Sequence, residues 1–493
     1  MKKLLALLLC VIMAVSVLAA CTPADNSGTD DAAQSSGAGT FRVGFGRANM
    51  TPNPGLGLAG MGDESTRLAT AVDTPLLATC IAVTDEKENT VLILSLDCIR
   101  TEPWVTNEMR NTISRQLRVP RENIFSSTTH THNSPNPNNT AYTKFMQDGC
   151  LEACKLAMED RKPAEMYTGT TKSDGLNFVR HYLMSDGSYA GNNYGDWDKT
   201  PVAHETEVDN DVQLIKFTRE GGKDIVLMNW RAHPIASSGG NYLKYSAGYV
   251  GHCRTEMEST LKCNFAYIQG ASGNVADVSE IGGEEKFINM RDQGKKLAQC
   301  AIDYMDQLKK VNTGLVEVKT VNYNGNVRKD SDEYVAAANL FNSMVNNGKS
   351  IAEAIAATNG LCNSRLAVDG INNRRSVYGG NGKFTLELAA ISIGDVAFIS
   401  VPYEMFDNSG AQIKEGSPYE QTFVLYLCNG RGKYMASEPA YSHGCYEKDH
   451  GYFVKGTAEE LVSVYVDMLK ETHKDGAVDP TITTFDSKLP NDT

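Results

Sequence analysis

The chain has 493 residues, 41% of them hydrophobic and 22% charged, with 43 Gly, 12 Cys and a formal net charge of −13. That composition excludes a disordered polymer, a collagen-like fibre and a cysteine-stapled miniprotein, and the length allows one large domain or two to three ordinary ones. The acidic balance argues against nucleic acid as a partner, because phosphate recognition needs Lys and Arg to displace counterions.

Met1 to Ala20 opens with Lys2-Lys3, runs apolar from Leu4 to Leu18 and closes on Ala19-Ala20 before Cys21. A basic start, a short apolar core and small residues at the end predict a secretory signal, not a spanning helix. The ending Leu18-Ala19-Ala20-Cys21 resembles the lipobox of bacterial lipoproteins. It implies that Cys21 carries lipid, anchors the protein to the bacterial membrane and places the folded part in an extracytoplasmic space. Residues 21–40 are Ser, Gly, Asp and Ala with almost nothing to bury, which predicts a flexible tether. Beyond it no apolar segment is long enough to span a bilayer. Ten cysteines remain after Cys10 and Cys21, and their spacings form no regular disulfide framework. Cys150 and Cys154, four apart in a helical stretch, are no zinc-ribbon signature.

From Phe41 onward short apolar, β-rich runs alternate with helical patterns. Strands are predicted at Val91–Asp97, Ile124–Thr129, Val212–Thr218, Ile225–Trp230, Phe265–Gln269, Val396–Val401 and Thr422–Leu427. Helices are predicted at Trp104–Leu117, Ala141–Asp160, Phe287–Lys309, Asp332–Asn346 and Thr457–His473. Phe384, Leu386 and Leu388 alternate with Thr385 and Glu387, the pattern of an antiparallel strand. The fold class is therefore α/β, with mixed central sheets flanked by helices in a single large domain of catalytic size at 41–475. The polar tail 476–493 is expected to fray.

Nine histidines are few, so their placement is informative. His130 and His132 follow the apolar strand at Ile124 in Thr-His-Thr-His-Asn-Ser-Pro. In an extended segment residues i and i+2 face one side, so the two imidazoles are a start for a metal site. His233 follows the strand Ile225–Trp230, and reads as a ligand or as a hydrogen-bonded wall residue. Glu404 follows Val396–Val401 and reads as a buried carboxylate that needs a partner or as a surface glutamate after a turn. Residues 428–447, rich in Gly and Tyr, form a binding loop by composition.

Taken in order, these segments resemble the neutral/alkaline non-lysosomal ceramidase family in its N-terminal catalytic domain. The matching runs are Gly-Phe-Gly-Arg-Ala-Asn-Met-Thr-Pro (44–52), Ala-Gly-Met-Gly (59–62), Thr-His-Thr-His-Asn-Ser-Pro (129–135), Asn-Trp-Arg-Ala-His-Pro (229–234), Pro-Tyr-Glu (402–404) and Asn429 through Glu447. The resemblance implies a zinc-dependent amide hydrolase acting on a lipid-like substrate, ceramide or a related N-acyl lipid. It implies Zn2+ held by His130, His233, Glu404 and Tyr434, with His132 beside the metal as general acid/base or oxyanion donor and Tyr446 as a second donor. Arg180 matches the family's substrate-contacting arginine and Gly60 its close-approach glycine.

Two departures bear on the activity. The family's serine, in Gly-Asp-Val-Ser-Pro, falls here on Gly273-Asn274-Val275-Ala276 when aligned without a gap. Asn274 is then expected against the substrate and metal-activated water becomes the nucleophile; a three-residue shift would use Ser279, and Ser272 lies nearby but off register. The chain also lacks the β-sandwich that continues the family's longer members. Two competing readings are a non-catalytic, ligand-binding lipoprotein and an amidohydrolase-type barrel with its own His-x-His.

Overall fold

A computed structural model of the chain describes residues 40–61, 64–191, 199–235, 242–282, 286–359, 361–362, 365–378, 381–474 and 478–490. The leader 1–20, Cys21, the tether up to residue 39 and Gly62 lie outside the described residues. Gly39–Thr493 forms one compact unit.

Nine strands form the first sheet: β1 (Arg42–Asn49), β2 (Leu77–Thr84), β3 (Thr90–Leu96), β4 (Ile124–Thr128), β5 (Lys162–Lys172), β6 (Asp211–Arg219), β7 (Ile225–Trp230), β8 (Asn264–Gln269) and the short β9 (Lys309–Val311). Their order is β8-β7-β6-β5-β1-β2-β3-β4, with β9 pairing β5. The pairs at the two ends, β7/β8 and β3/β4, are parallel, and those between are antiparallel. A second sheet holds β10 (Val316–Asn326), β11 (Lys383–Ile393), β12 (Val396–Val401), β13 (Gln421–Tyr426) and β14 (Thr483–Asp486), in the order β13-β12-β11-β10-β14. Here β12/β13 and β10/β14 are parallel.

The two sheets stack face to face. Val43, Ile81, Ile93, Phe125, Ile215 and Leu227 of the first meet Ile391, Val396, Phe398, Phe423 and Leu425 of the second in one buried core. Each outer face is covered by helices. On the first sheet α1 (Pro103–Leu117) and α2 (Thr140–Glu159) cover β2 and β3, while α3 (Tyr249–Leu261) and α4 (Met290–Ile302) cover β6 to β8. A satellite of α5 (Asp332–Asn346), α6 (Ile351–Ala357) and α7 (Arg365–Tyr378) lies in the connection from β10 to β11. On the second sheet α8 (Asp407–Gly416) and α9 (Thr457–Thr472) complete a four-layer α/β/β/α stack. Double coverage is why β3, β7 and β12 read as mostly apolar runs with every residue buried, their few polar members Thr90, Ser95, Asn229 and Ser400 included. The Gly-Phe-Gly of β1 has a packing cause: a Cβ on Gly46 would stand 2.0 Å from the Ala153 carbonyl oxygen of α2.

The seven predicted strands and the Lys383–Ile393 antiparallel strand are all present within a residue or so. The predicted helix Phe287–Lys309 is shorter at both ends. Asn289 caps α4 by accepting from the Arg291 and Asp292 amides, Phe287 belongs to a two-residue strand, and Lys309 opens β9. The tail does not fray throughout: Thr483–Asp486 adds β14 to the edge of the second sheet. This stack of two mixed sheets is not the parallel barrel that the amidohydrolase reading requires. The ten cysteines among the described residues are all free, and none of their helices is long and apolar enough to cross a membrane.

Candidate metal centre

Parallel strand pairs leave their carboxyl ends on one side, where successive loops converge. Three such pairs meet here. His130 follows β4, His233 follows β7, Glu404 follows β12 and Tyr434 follows β13, so four side chains distant in sequence arrive together. The seam between the sheets is fastened at that end. Asn429 Oδ1 accepts from the Ser126 amide at 2.9 Å, and Ser127 Oγ donates to the Tyr426 carbonyl at 2.7 Å.

The segment carrying the two imidazoles of Thr-His-Thr-His is not extended, because His130 has φ +64°. The pair still converges, with Nε2 atoms 3.4 Å apart. His130 Nδ1 donates to the Ile99 carbonyl at 2.7 Å and His233 Nδ1 to the Val275 carbonyl at 3.0 Å. Both bonds fix the tautomer and leave the Nε2 lone pairs pointing into the site. Glu404 Oε2 lies 3.4 Å from His130 Nε2 and 3.7 Å from His233 Nε2, and Tyr434 Oη lies 3.5 Å from His233 Nε2. Tetrahedral zinc with bonds of about 2.0–2.1 Å separates its ligand atoms by roughly 3.3–3.4 Å. The donor spacings therefore suit such an ion. His132 is also within range of this group. It abuts only one corner, however: its ring centre is 4.9 Å from that of His130 and 5.9 Å from that of His233.

Electrostatics favours the same donor set. Burial, reinforced by Arg180, pushes the His233 imidazolium down to about 4. Burial and the neighbouring imidazoles hold His132 well below its usual value. Burial would raise Glu404, but His130 and His233 outweigh it and keep the carboxyl well below the normal range. At neutral pH His132 and His233 are thus uncharged and Glu404 ionised, the states in which each can donate to a metal.

Gly60 stands against His132, where a Cβ would come within 2.8 Å of Nδ1 and 2.2 Å of Ile99 Cδ1. The room for that ring depends on a glycine with φ +94°. Tyr446 lines the cleft, with its ring 5.5 Å from that of Tyr434. Two expected substrate contacts are placed elsewhere. Arg180 is buried behind Tyr434, where it pairs with Glu447 at 2.7 Å, donates to the Gly273 carbonyl and reaches Tyr434 Oη at 3.4 Å. Tyr434 is thus its contact with the donor group. Asn274 is occupied with α8: its Nδ2 donates to Asp407 Oδ1 and its Oδ1 accepts from the Asp407 amide. No serine lines the cleft among the described residues. Ser279 Oγ is paired with His204 Nε2 at 3.1 Å, and Ser272 is fully buried against Gln269.

A second cluster holds His181 with Glu205, His443, Cys445 and Glu447. Burial opposes charge on His181, but Glu447 overrides it and raises the imidazole well above its usual value. A charged imidazole between two carboxylates satisfies itself as an ion pair and has no lone pair to offer.

The first centre opens into a cleft of about 960 Å³. Arg100, Arg431, Lys433 and His450 also line it, and no motif in the sequence points to them. Two of them sit in the Gly- and Tyr-rich loop already picked out by composition, but charge alone gave no reason to join them to Arg100.

No family model and no curated protein sequence matches the chain. Solved structures do. A ceramidase complexed with C2 matches with a TM-score of 0.68 at 14% identity, over 90% of this chain and 77% of that one. The neutral ceramidase from Pseudomonas aeruginosa matches with the same score and identity, over 90% of this chain and 76% of that one. The chain has the neutral ceramidase fold.

Proposed function

We propose that this chain of ceramidase fold is a zinc-dependent hydrolase that cleaves the amide bond of ceramide or a related N-acyl lipid, with water as nucleophile. The observation that carries the reading is the closed set of His130 Nε2, His233 Nε2, Glu404 Oε2 and Tyr434 Oη beside a large cleft. Zinc in that set would polarise the amide carbonyl and make water acidic enough to attack near neutral pH. His132 takes the proton of the attacking water at Nε2 and returns it to the departing nitrogen, so that amide and water become acid and amine. Tyr446 donates to the carbonyl oxygen as negative charge builds there. Arg180, held by Glu447, steadies Tyr434 from behind.

Protein prepared without chelators should carry about one equivalent of zinc; less than about a tenth of an equivalent would sink the reading. A panel of N-acyl amides that includes ceramides should release fatty acid. His130→Ala should lower kcat/KM by about 100-fold or more, and full activity in that variant would remove His130 from the ligand set. The lipobox-like ending supports the further reading that Cys21 bears lipid and holds the enzyme on the outer side of a bacterial membrane. Cys21→Ser should then move the activity from the membrane fraction to the soluble one, and an unchanged distribution would refute the anchor.

A further inference from the structure

The cleft beside the proposed zinc site is built for charge. Its apolar lining is confined to Ile99, Ile351 and the rings of Tyr434 and Tyr446, whereas Arg100, Arg365, Arg431 and Lys433 all border it. Glu64, Asp369 and Glu404 line the same cleft, so the cations stand out as a group within a mixed-charge lining, in a chain whose net charge is −13. Three of the cations form one group. Arg431 Nη1 pairs with Glu102 Oε1, and Arg100 Nε lies 4.0 Å from the same oxygen, buried and without a hydrogen-bond partner. Lys433 makes no ion pair among the described residues, and its Nζ lies 6.0 Å from the centre of the Tyr452 ring. Glu102 is the carboxylate within 4.0 Å of Arg100 and Arg431 among the described residues, while Glu404 and Glu64 act on the group from farther off. Such crowding of like charge is unfavourable in the absence of a ligand.

The protein holds the crowding in place. Arg431 and Lys433 sit on a loop in which Asn429 and Lys433 both adopt φ +60°. The loop is pinned by the Gly432 amide on the Pro402 carbonyl at 2.6 Å and by the Glu404 amide on the Lys433 carbonyl at 2.8 Å. The second bond ties the cations to the backbone that presents Glu404. Backbone held in an uncommon conformation beside a reactive centre is characteristic of preorganised sites.

We propose that the substrate carries an oxyanion group, a carboxylate or a phosphate ester, which Arg100, Arg431 and Lys433 hold beside the scissile amide. This rests on the hydrolase reading and narrows it to acidic N-acyl amides. Uncharged ceramide would bring no anion to Arg100 Nε, which lacks a hydrogen-bond partner, or to Lys433, which makes no ion pair among the described residues. Guanidinium pairs suit planar or tetrahedral oxyanions, and the ammonium adds a third donor.

The test compares three substrates of equal acyl length: N-lauroylglycine, N-lauroyl phosphoethanolamine and uncharged N-lauroylethanolamine. At least one acidic member should exceed the uncharged one tenfold or more in kcat/KM, and whichever does so distinguishes carboxylate from phosphate. The double variant Arg431→Met, Lys433→Met should bring that ratio close to one. Calorimetry with inorganic phosphate and with acetate, on the protein before and after chelation, gives a readout independent of turnover. Wild type should bind at least one of these anions and the double variant at least tenfold more weakly, while Glu102→Gln, which removes the shared counter-ion, should bind it more tightly. Turnover without acidic preference, or a preference that survives the double variant, overturns the oxyanion site and leaves the hydrolase. Anion binding that the variants abolish, with no substrate cleaved, overturns the hydrolase and leaves the anion site. Neither binding nor turnover removes both.

Discussion

Asp277 lies two residues beyond Val275, whose carbonyl orients His233. Its side chain is buried, and Oδ1 has no hydrogen-bond partner. Burial pushes the carboxyl up to about 7, against a smaller opposing pull from its own backbone and from Arg180. The folded pKa is raised, so the acid form is the one the fold accommodates. Its contribution is favourable below the unfolded value of 3.8 and is lost as pH rises through about 7. Asp277→Asn keeps the shape and removes the ionisation. The variant should be more stable than wild type by of the order of 2 kcal/mol at pH 8 and nearly equal to it at pH 4. Thermal melts at the two pH values decide this, and an equal difference at both would show that ionisation is not the cause. The same burial lowers His132 and His233 instead, because the uncharged form of an imidazole is the deprotonated one.

Elements buried on both faces were the most legible in the sequence. β3, β7 and β12 advertise themselves as mostly apolar runs, and the chemistry-bearing residues that follow them, His233 and Glu404, stand out because polar groups end an apolar run abruptly. His130 was legible for the same reason, although its left-handed backbone was not: the pattern suggested an extended pair, and the rings meet by a turn instead. Other features depend on partners far away in the chain. Asn274 looks like a site residue by its neighbours, yet it is spent on capping α8, 133 positions later. Arg180 looks like a substrate contact until Glu447, 267 positions on, is seen to hold it. Arg100, after β3, and Lys433, after β13, come from different sheets and border one cleft only in the fold. Helix ends followed local capping, and the long helical pattern before residue 309 failed where Asn289 and the turn at Met305–Gln307 set the limits of α4.

At the scale of the whole molecule, the four-layer stack leaves the second sheet with an edge to protect. The strand β10 would be that edge if the chain stopped at the end of α9, and a long exposed edge invites pairing with another chain. β14 covers it in parallel register from Val321↔Thr483 to Asn324↔Asp486. The cover is fixed by side chains as well as by the ladder. Phe485 stacks on Tyr323 with ring centres 5.7 Å apart, Asn326 Nδ2 donates to the Leu489 carbonyl at 2.6 Å, and Lys383 Nζ pairs with Asp486 at 3.0 Å. Tyr323 Oη in turn donates to Glu460 of α9 at 2.5 Å, which links the tail strand to the outer helix layer. The centre at the carboxyl ends of β4, β7, β12 and β13 lies across the sheet from this edge, with β11 between β10 and β12. Ending the chain after His473 should therefore act on stability and association before it acts on chemistry. The truncated protein should melt several degrees lower and sediment partly as aggregates, while metal bound per folded monomer matches the full-length value. Melting and sedimentation measured on both lengths provide the check. Identical behaviour would mean that residues beyond 473 contribute nothing to the fold, and loss of bound metal without loss of stability would mean that the edge and the candidate metal centre are coupled through β11.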